Sequence, residues 1–489
     1  MTVYFENNTF KYEIEAVMKL FCPLESFDFV FDGMTAEGNC TDSDCVIIAV
    51  RDKLYVYVRL NGKENEQTQV LPDESQWEIA LCRMLFTAMS EITGAVPQWG
   101  CLTGIRPVKK VNALIKDGCD MDMVYERLRE KYYISRRKSD LSYLTAVTQR
   151  EALETLDPKS YSLYIAVPFC PTRCSYCSFV SHSIQSKGAK ELVPQYVEML
   201  CREIEELGEI VRGKNTFCDT VYIGGGTPTS LSAQQLEKIM KTIEKSIDIS
   251  RIREYTVEAG RADTITEDKL TAIRDNGATR ISINPQTMQD SVLNAIGRRH
   301  TAAQVEECFA LARRLGFDNI NMDTIAGLPT DTAEGFKDTI RRLIALDPEN
   351  ITVHTLTVKR SAALFQAADS FKENYLRDNE LSEMVDFAFE ELTANGFSPY
   401  YLYRQKNTVG NLENVGYAKK GREGLYNIYI MEEAQNILAC GASGSTKLID
   451  CATGKITRHF NYKFPYEYIS RYDKMTEYKA LAEEFLAGL

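Results

Sequence analysis

Between residues 162 and 357 the sequence repeats one pattern, a short apolar or β-branched run followed by a longer segment with helical periodicity. The predicted strands of the six repeats cover residues 163–169, 220–224, 255–259, 280–284, 320–327 and 351–356. Strands that alternate with helices are joined by right-handed crossovers and form a parallel sheet. The pattern therefore predicts an open doubly wound sheet or a barrel. In either fold the chemistry is expected where the strands end, at their carboxyl edge.

The segments on either side of this region lack the alternation. In the first 155 residues, "FDFVFDG" and "DCVIIAVRDKLYVYVRL" predict a small antiparallel sheet, and residues 75–94 and 121–133 predict helices. After residue 375, a predicted helix leads to an aromatic, polar stretch and then to "LYNIYIM", which we interpret as a strand. We predict three domains: an N-terminal α+β accessory domain (1–155), an alternating core (160–372) and a C-terminal α+β substrate or lid domain (375–489).

Composition limits the partners and the compartment. The 489 residues carry a net charge of −12, which argues against a large nucleic-acid surface, since such a surface needs a basic footprint. The opening residues lack the features of a signal peptide, and no run approaches the roughly 20 apolar residues that span a bilayer. We therefore expect a cytoplasmic protein without stable membrane insertion. In a reducing compartment its fourteen cysteines are not expected to form a disulfide framework.

Three cysteines stand together directly after the first predicted strand. In "VPFCPTRCSYCSFV" these are Cys170, Cys174 and Cys177. Such spacings let a loop wrap a metal centre with its thiolates pointing inward. A structural zinc site is the simpler alternative, but it takes four ligands, and the nearest further candidate is His182. Three thiolates instead fit a cubane iron-sulfur cluster with one iron left open.

Other strand ends also carry unusual residues. "GGGTPT" (224–229) follows the second predicted strand, and such glycine-rich turns permit close backbone approach, although a tight turn is the simpler reading. The polar residues at or beyond the later strands are Glu258, Gln286, Arg298 and Asp323. One polar residue on a strand is often a satisfied core group. Four at the same edge of one sheet favour a lined pocket.

"CPTRCSYC" resembles the CxxxCxxC signature of the radical S-adenosylmethionine (SAM) superfamily, with Tyr176 directly before the third cysteine. Residues 160–450 further resemble the oxygen-independent coproporphyrinogen III oxidase (dehydrogenase) family, its HemN-like branch and the HemZ-type proteins within it. The motifs that carry this resemblance are "SLYIAVPFCPTRCSYCSF", "YIGGGTPTSL", "INPQTMQDSVLNAIGRRHT", "NMDTIAGLPTDT", "PYYLYRQKN", "ENVGYAK" and "LTGIRPVKKV". The resemblance implies a partial (β/α)6 barrel of the TIM type, flanked by the two α+β domains.

The resemblance also implies cofactors and the residues that hold them. Cys170, Cys174 and Cys177 would ligate a 4Fe-4S cluster whose fourth iron chelates SAM. The contacts to this SAM would come from Tyr164, Gly225 and Glu258. The positions that in the oxidase surround a second SAM are occupied by Tyr176, Gly226, Thr227, Gln286, Arg298 and Asp323. One SAM or two are therefore expected, and Tyr164 is grouped with the three cysteines as catalytic.

The implied reaction is a radical oxidation of a tetrapyrrole. A reduced cluster would cleave SAM to a 5′-deoxyadenosyl radical, which removes a hydrogen atom from a propionate side chain. Loss of carbon dioxide and one electron, carried out twice, converts coproporphyrinogen III to protoporphyrinogen IX. A reducing partner such as flavodoxin or ferredoxin and an electron acceptor are implied. A tetra-anionic substrate needs cations, and our hypothetical candidates are Lys359, Arg360, Arg404 and Lys406.

One departure from the oxidase pattern keeps the activity open. The oxidase proper has a further cysteine two residues after the third ligand, where this chain has Phe179. A branch of the family with an aromatic residue there is a heme chaperone that carries a His-Asn-x-x-Tyr-Trp motif, and "RHFNYKF" (458–464) does not match that motif. Three hypotheses stand: the oxidase, a heme-binding chaperone, and another radical SAM enzyme such as a heme-opening methyltransferase or a tRNA modifier.

Overall fold

The computed structural model describes residues 1–23, 25–31, 44–179, 181–357, 378–405, 411–450 and 453–475, together with residues 479, 483 and 485. The chain forms two compact units. The first comprises Met1–Ala146 and Tyr403–Glu413, and the second comprises Val147–Leu402 and Asn414–Leu489. The division into three domains stays a prediction.

The first unit contains a five-stranded sheet of order β2-β1-β3-β4-β5. Its strands are β1 (Thr2–Glu6), β2 (Asp28–Phe31), β3 (Cys45–Val50), β4 (Lys53–Leu60) and β5 (Lys63–Val70). Its helices are Lys11–Phe21, Trp77–Thr93, Pro107–Lys116 and Met121–Tyr132, and the helix Arg136–Glu154 begins in it. The helices predicted over 75–94 and 121–133 are therefore confirmed.

The predicted antiparallel pairing is confirmed for β3 and β4 but is wrong for β2, which lies beside a strand that was not predicted, β1. This strand runs parallel to both β2 and β3, while β3, β4 and β5 pair antiparallel. The helix Lys11–Phe21 lies between β1 and β2 along the chain. Because a helical crossover returns the chain to the same end of the sheet, the two strands that it joins run in the same direction.

A buried polar cluster lies within the first unit. Lys138 Nζ is 2.6 Å from Glu413 Oε1. The indole Nε1 of Trp99 donates to Glu413 Oε2 at 2.7 Å. The guanidinium of Arg404 stacks over the Trp99 ring at 4.9 Å and donates to the carbonyl oxygen of Leu102 at 2.7 Å. Lys138 and Glu413 thus form a buried ion pair inside the unit, and Arg404 is held there by the Trp99 ring and a backbone carbonyl oxygen.

The second unit is built around a large sheet of order β14-β15-β13-β12-β11-β10-β9-β6-β16-β17-β18. Its central strands are β6 (Ser160–Val167), β9 (Phe217–Gly225), β10 (Glu254–Gly260), β11 (Arg280–Gln286), β12 (Ile320–Ala326) and β13 (Asn350–Thr355). Neighbouring strands in this series run parallel, which confirms the six predicted strands. Their carboxyl ends therefore meet at one edge.

Further strands extend this sheet on both sides. They are β14 (Ser398–Arg404), β15 (Glu413–Ala418), β16 (Asn436–Cys440), β17 (Ser445–Ile449) and β18 (Ile456–Phe460). Strand β15 runs antiparallel to β13, whereas β16 runs parallel to β6. A separate pair is formed by β7 (Phe169–Cys170) and β8 (His182–Ser183). The sequence pattern had not indicated the seventh parallel strand, β16.

Helices connect or follow the strands of the second unit, and most of them are amphipathic. They are Ala189–Val211, Ala233–Ser246, Glu267–Asp275, Asp290–Ala295, Ala302–Arg314, Ala333–Leu346, Asp378–Ala394, Leu425–Glu432 and Pro465–Ser470. Two of them begin at capping boxes, where Ser232 and Thr301 accept hydrogen bonds from backbone N–H groups three residues later. Over the described ranges, none of the helices has the length and apolar character needed to cross a membrane.

The prediction of a strand at "LYNIYIM" is wrong, because these residues form the helix Leu425–Glu432. The carboxylate of Glu254 accepts hydrogen bonds from the backbone N–H groups of Leu425 at 2.6 Å and Tyr426 at 3.3 Å. A helix start leaves several N–H groups without intrahelical partners, and a negative charge there is favourable. A side chain more than 170 residues away in sequence thus stabilises a helix in a segment rich in strand-forming residues.

Candidate active site

The cysteine loop leaves the carboxyl end of β6 and folds back on itself. Cys170 is the last residue of β7. Its carbonyl oxygen accepts a hydrogen bond from the backbone N–H of Ile184 at 2.9 Å. Within the loop, the N–H of Cys177 donates to the carbonyl oxygen of Cys174 at 3.2 Å. Cys174 is buried, and Cys170 and Cys177 are half-buried. The three thiols therefore lie at the edge where the parallel strands end.

The glycine-rich turn packs directly on the start of this loop. The N–H of Gly226 donates to the carbonyl oxygen of Val167 at 2.8 Å, and that of Thr227 donates to Phe169 at 2.7 Å. A Cβ atom added to Gly226 would lie 2.5 Å from the Phe169 carbonyl oxygen. Gly225 has a φ of +113°, which L side chains rarely adopt. The turn needs glycine because its backbone lies in direct contact with the backbone at the start of the cysteine loop.

Polar groups surround the thiols. The hydroxyl of Thr227 donates to Cys170 Sγ at 3.5 Å, and Arg261 Nη1 lies 3.7 Å from Cys174 Sγ. Burial raises the pKa of the Cys170 and Cys177 thiols, and the nearby charge of Cys174 raises both further. The three sulfurs therefore act electrostatically on one another, and hydrogen-bond donors face them.

The donor set fits an iron-sulfur cluster. Three thiols on one loop are the ligands that such clusters take, and the buried guanidinium groups of Arg261 and Arg298 both interact with Cys174. In the ranges that the structure describes, no group of three or more His, Cys, Asp or Glu side chains is arranged to hold a single metal ion. Cys170, Cys174 and Cys177 are therefore the residues that would hold a cluster, with cationic donors to balance its thiolates.

Glu258 lies on β10 within a group of aromatic rings. The Tyr222 hydroxyl donates to Glu258 Oε1 at 2.7 Å. Burial raises the pKa of Glu258 to about 7; the Tyr222 hydrogen bond opposes this rise and the charge of Asp323 adds to it. The ring of Tyr164 lies 6.1 Å from those of Tyr222 and Tyr426. The structure thus brings Tyr164 and Glu258 to one aromatic pocket.

Gln286 stands at an irregularity that ends β11. Its φ is +69°, and the register between β11 and β12 shifts between Ile283 and Gln286. The Thr324 hydroxyl donates to the Gln286 carbonyl oxygen at 2.9 Å and holds this conformation. The side chain of Gln286 is buried. Strained backbone of this kind is concentrated at functional sites.

Arg298 contacts Tyr176, which belongs to the cysteine loop. Arg298 Nη2 donates to the Tyr176 hydroxyl at 3.1 Å, and Nη1 donates to the carbonyl oxygen of Asn284 at 2.5 Å. The remaining nitrogen, Nε, is buried and has no hydrogen-bond partner among the described residues. A buried guanidinium with a nitrogen left over is suited to a ligand acceptor.

Asp323 occupies the middle of β12, beside residues that the sequence reasoning missed. It accepts a hydrogen bond from Asn321 Nδ2 at 2.7 Å, and its Oδ2 lies 4.0 Å from Nε2 of His354. The missed residues of this edge are Tyr222, Arg261, His354 and Tyr426. The first three lie on or directly after predicted strands and could have been found by the same test of strand ends, whereas Tyr426 lay in the segment wrongly predicted as a strand.

Of the four predicted substrate cations, the structure describes only Arg404. Lys359, Arg360 and Lys406 lie outside the described residues. Arg404 is buried in the first unit, over Trp99, where its guanidinium donates to the carbonyl oxygen of Leu102. These contacts give Arg404 a structural role and remove the argument for a substrate contact.

Comparisons with known proteins agree with this geometry. The family model of the radical SAM superfamily matches residues 164–343. Over 390 residues the chain is 40% identical to the oxygen-independent coproporphyrinogen-III oxidase-like protein HemZ of Bacillus subtilis, a match that covers 79% of this chain and 77% of HemZ. The chain belongs to the HemN-like family of radical SAM proteins, with the features of the HemZ type. The resemblance inferred from the motifs is thereby confirmed.

Two further proteins of this family, with different names, are also similar to this chain. The heme chaperone HemW of Bacillus subtilis is 29% identical over 333 residues, which cover 67% of this chain and 83% of HemW. The structure of coproporphyrinogen III oxidase (HemN) from Escherichia coli superposes with a TM-score of 0.52 at 21% identity, covering 67% of this chain and 72% of HemN. The HemN match confirms the radical SAM fold. Proteins of this superfamily use a 4Fe-4S cluster and SAM, as predicted.

Proposed function

We propose that this protein is an oxygen-independent coproporphyrinogen dehydrogenase, which uses SAM to decarboxylate two propionates of coproporphyrinogen III and yields protoporphyrinogen IX. The observation that carries the proposal is the group of polar side chains on β10, β11 and β12. Glu258, Gln286 and Asp323 lie on these neighbouring strands, and Arg298 donates a hydrogen bond to Tyr176 of the cysteine loop. The name of HemZ describes it as oxidase-like, and the similarity of this chain to HemZ supports the proposed activity.

The residues of this edge have complementary chemistry for SAM. When bound, the cluster and SAM supply the radical that removes a hydrogen atom from the substrate. Glu258 offers a carboxylate to the ammonium group of SAM, and Asp323 offers acceptors to ribose hydroxyls. Arg298, whose buried Nε has no hydrogen-bond partner in the part of the chain that the structure describes, suits a carboxylate. We assign the ligation of the cluster to Cys170, Cys174 and Cys177.

In this proposal the aromatic pocket limits the access of water to the reacting groups. Tyr222 and Tyr426 stack with ring centroids 4.6 Å apart, and the Tyr164 ring is parallel to that of Tyr426 within 13°. Removal of water strengthens electrostatic interactions and protects a radical from side reactions. The further proposed partners are a reductant such as flavodoxin or ferredoxin and an electron acceptor that takes the last electron of each decarboxylation.

Heme binding without turnover is the second candidate function. It is favoured by the 29% identity to the heme chaperone HemW and by Phe179, which replaces the additional cysteine of the oxidase and is 62% exposed. Against it, the nearest counterpart of the chaperone's heme motif is "RHFNYKF", whose first three residues end the edge strand β18. We therefore test the oxidase hypothesis first.

The test is an anaerobic turnover experiment. The cluster is reconstituted, SAM, dithionite and coproporphyrinogen III are added, and 5′-deoxyadenosine and the tetrapyrrole are followed by mass spectrometry. We expect substrate-dependent 5′-deoxyadenosine together with loss of two carboxyl groups. Cys174→Ala should abolish both, whereas Cys308→Ala, which removes a buried cysteine outside the loop, should leave both unchanged.

The result that would overturn the proposal is an unchanged tetrapyrrole. If a protein with a full iron content cleaves SAM without consuming coproporphyrinogen III, the oxidase assignment fails. A titration with hemin then decides the second candidate: a stoichiometric Soret shift supports the chaperone function, and no shift directs the search to another substrate.

A further inference from the structure

Arg261 is a buried cation that neither the motifs nor the proposed reaction uses. It follows β10 directly and is 2% exposed. Its Nη1 lies 3.7 Å from Cys174 Sγ, within the range of an N–H···S hydrogen bond. The same nitrogen reaches the carbonyl oxygen of Thr172 at 3.2 Å and the Thr172 hydroxyl at 2.8 Å. Arg261 therefore binds both a cluster-binding cysteine and the loop before it.

The other side of the guanidinium is fixed by Asp263. Nε donates to Asp263 Oδ1 at 2.9 Å, and Nη2 donates to Oδ2 at 2.7 Å. Such a bidentate pair fixes the plane of the guanidinium as well as its position. The buried His300 packs on the far side, with Nδ1 3.7 Å from Asp263 Oδ1. This pairing directs Nη1 of Arg261 at the cysteine loop, while Nε and Nη2 face the carboxylate of Asp263.

We propose that Arg261 is a positioning residue that sets the reduction potential of the cluster through its hydrogen bond to the sulfur of Cys174. One-electron reduction adds a negative charge to a cluster that already carries thiolates. A donor aimed at a ligand sulfur stabilises the reduced form more than the oxidised form, and hydrogen bonds to the sulfurs are among the factors that set cluster potentials. Arg261 thus makes the cluster easier to reduce, whichever substrate the enzyme takes.

The test compares two arginines with the same ion-pair geometry. Arg253 pairs with Asp219 through Nε at 2.6 Å and Nη2 at 2.7 Å, as Arg261 pairs with Asp263, but its hydrogen bonds within the described ranges go to Asp219 and Tyr429 and not to a cysteine. Arg261→Met and Arg253→Met therefore each remove one bidentate pair from the second unit. Both variants and the parent are reconstituted anaerobically, and the reduced cluster is titrated against potential by electron paramagnetic resonance.

We expect Arg261→Met to lower the midpoint potential, with a reduction equilibrium constant about tenfold smaller, which is ~59 mV for one electron. Arg253→Met should leave the potential unchanged. Arg261→Lys retains the charge and one donor, so its potential should fall between those of Arg261→Met and the parent. Asp263→Asn loosens the guanidinium and should shift the potential in the same direction by a smaller amount.

Two outcomes would overturn the proposal. One is an unchanged potential in Arg261→Met at full iron content, because the hydrogen bond to Cys174 would then have no electronic effect. The other is loss of iron from both Arg261 variants while Arg253→Met loads normally, because Arg261 would then only hold the loop. The measurement is made without substrate, so its failure is distinct from failure of the proposed decarboxylation.

Discussion

Two groups of buried charges, one in each unit, are built differently. In the first unit the closed cluster of Trp99, Lys138, Arg404 and Glu413 contains the ion pair of Lys138 and Glu413, whose side chains are 1% and 2% exposed. In the second unit the open edge is formed by Glu258, Asp323 and His354; the side chains of Asp323 and His354 are 19% and 29% exposed, and their nearest atoms are 4.0 Å apart.

This difference indicates that the first group of charges stabilises the fold and that the second is available for function. A closed ion pair satisfies its own charges and leaves little for a ligand, and disruption of such a pair destabilises the fold. An open group of polar side chains at one strand edge is instead available to orient a ligand. The following predictions probe this distinction, from the largest expected effect to the smallest.

The largest effect is expected in the closed cluster. Glu413→Ala removes the carboxylate that accepts from both Lys138 and Trp99, and loss of one partner of a buried pair is worth about 3–5 kcal/mol of unfolding free energy. The chain has two tryptophans, Trp77 and Trp99, and both lie in the first unit. Tryptophan fluorescence during urea unfolding therefore reports this unit. The double variant Lys138→Met/Glu413→Leu should recover most of the loss, and no recovery would contradict the closed-pair interpretation.

The open edge should be sensitive to the glycine turn beneath it. In Gly226→Ala the added Cβ meets the Phe169 carbonyl oxygen at 2.5 Å, and overpacking of this kind is worth about 1–3 kcal/mol. We expect lower iron incorporation and weaker SAM binding, measured by iron analysis and by calorimetry of the reconstituted protein. Gly104→Ala is the control, because the nearest neighbour of its added Cβ lies 4.0 Å away. Equal behaviour of the two variants would show that the close contact is unimportant.

A smaller effect concerns pH and Glu258. The pKa of this carboxyl is raised by burial to about 7, so between its ordinary value near 4.5 and 7 the folded protein binds more protons than the unfolded chain. The stability that the neutral carboxyl gives is present at low pH and is lost as the pH rises through 7. Unfolding of the parent and of Glu258→Gln, followed by circular dichroism at pH 5 and 8, should show the parent losing on the order of 1 kcal/mol relative to the variant. A constant difference would mean that the pKa is not raised.

The smallest effect is expected on the surface. Lys241 and Glu237 form an exposed ion pair one turn apart on the helix Ala233–Ser246. Lys241→Ala should leave the unfolding free energy almost unchanged, with a still smaller effect at high salt. Urea unfolding at two salt concentrations checks this expectation. A loss as large as that of Glu413→Ala would remove the contrast between solvated and buried pairs.

Strong local patterns made much of the second unit predictable. The six central strands and the helices between them follow from hydrophobic periodicity, and the cysteine spacing stands in one short segment. The contacts of Arg261 and Tyr222 were not predictable in the same way, because they join residues that are 87 and 36 positions apart. Spacing along the chain carries no information on which strand ends face each other across the edge.

The sequence by itself determined the alternating strands, their shared carboxyl edge and the loop of three cysteines, because each depends on short-range periodicity or spacing. Tertiary structure alone decided that Leu425–Glu432 is a helix, since the carboxylate that caps it comes from β10. It also decided that Arg404 belongs to the closed cluster and that Arg261 faces Cys174. In each case the deciding partner is distant in the chain, and only the folded sheet brings the two groups within hydrogen-bonding or stacking distance.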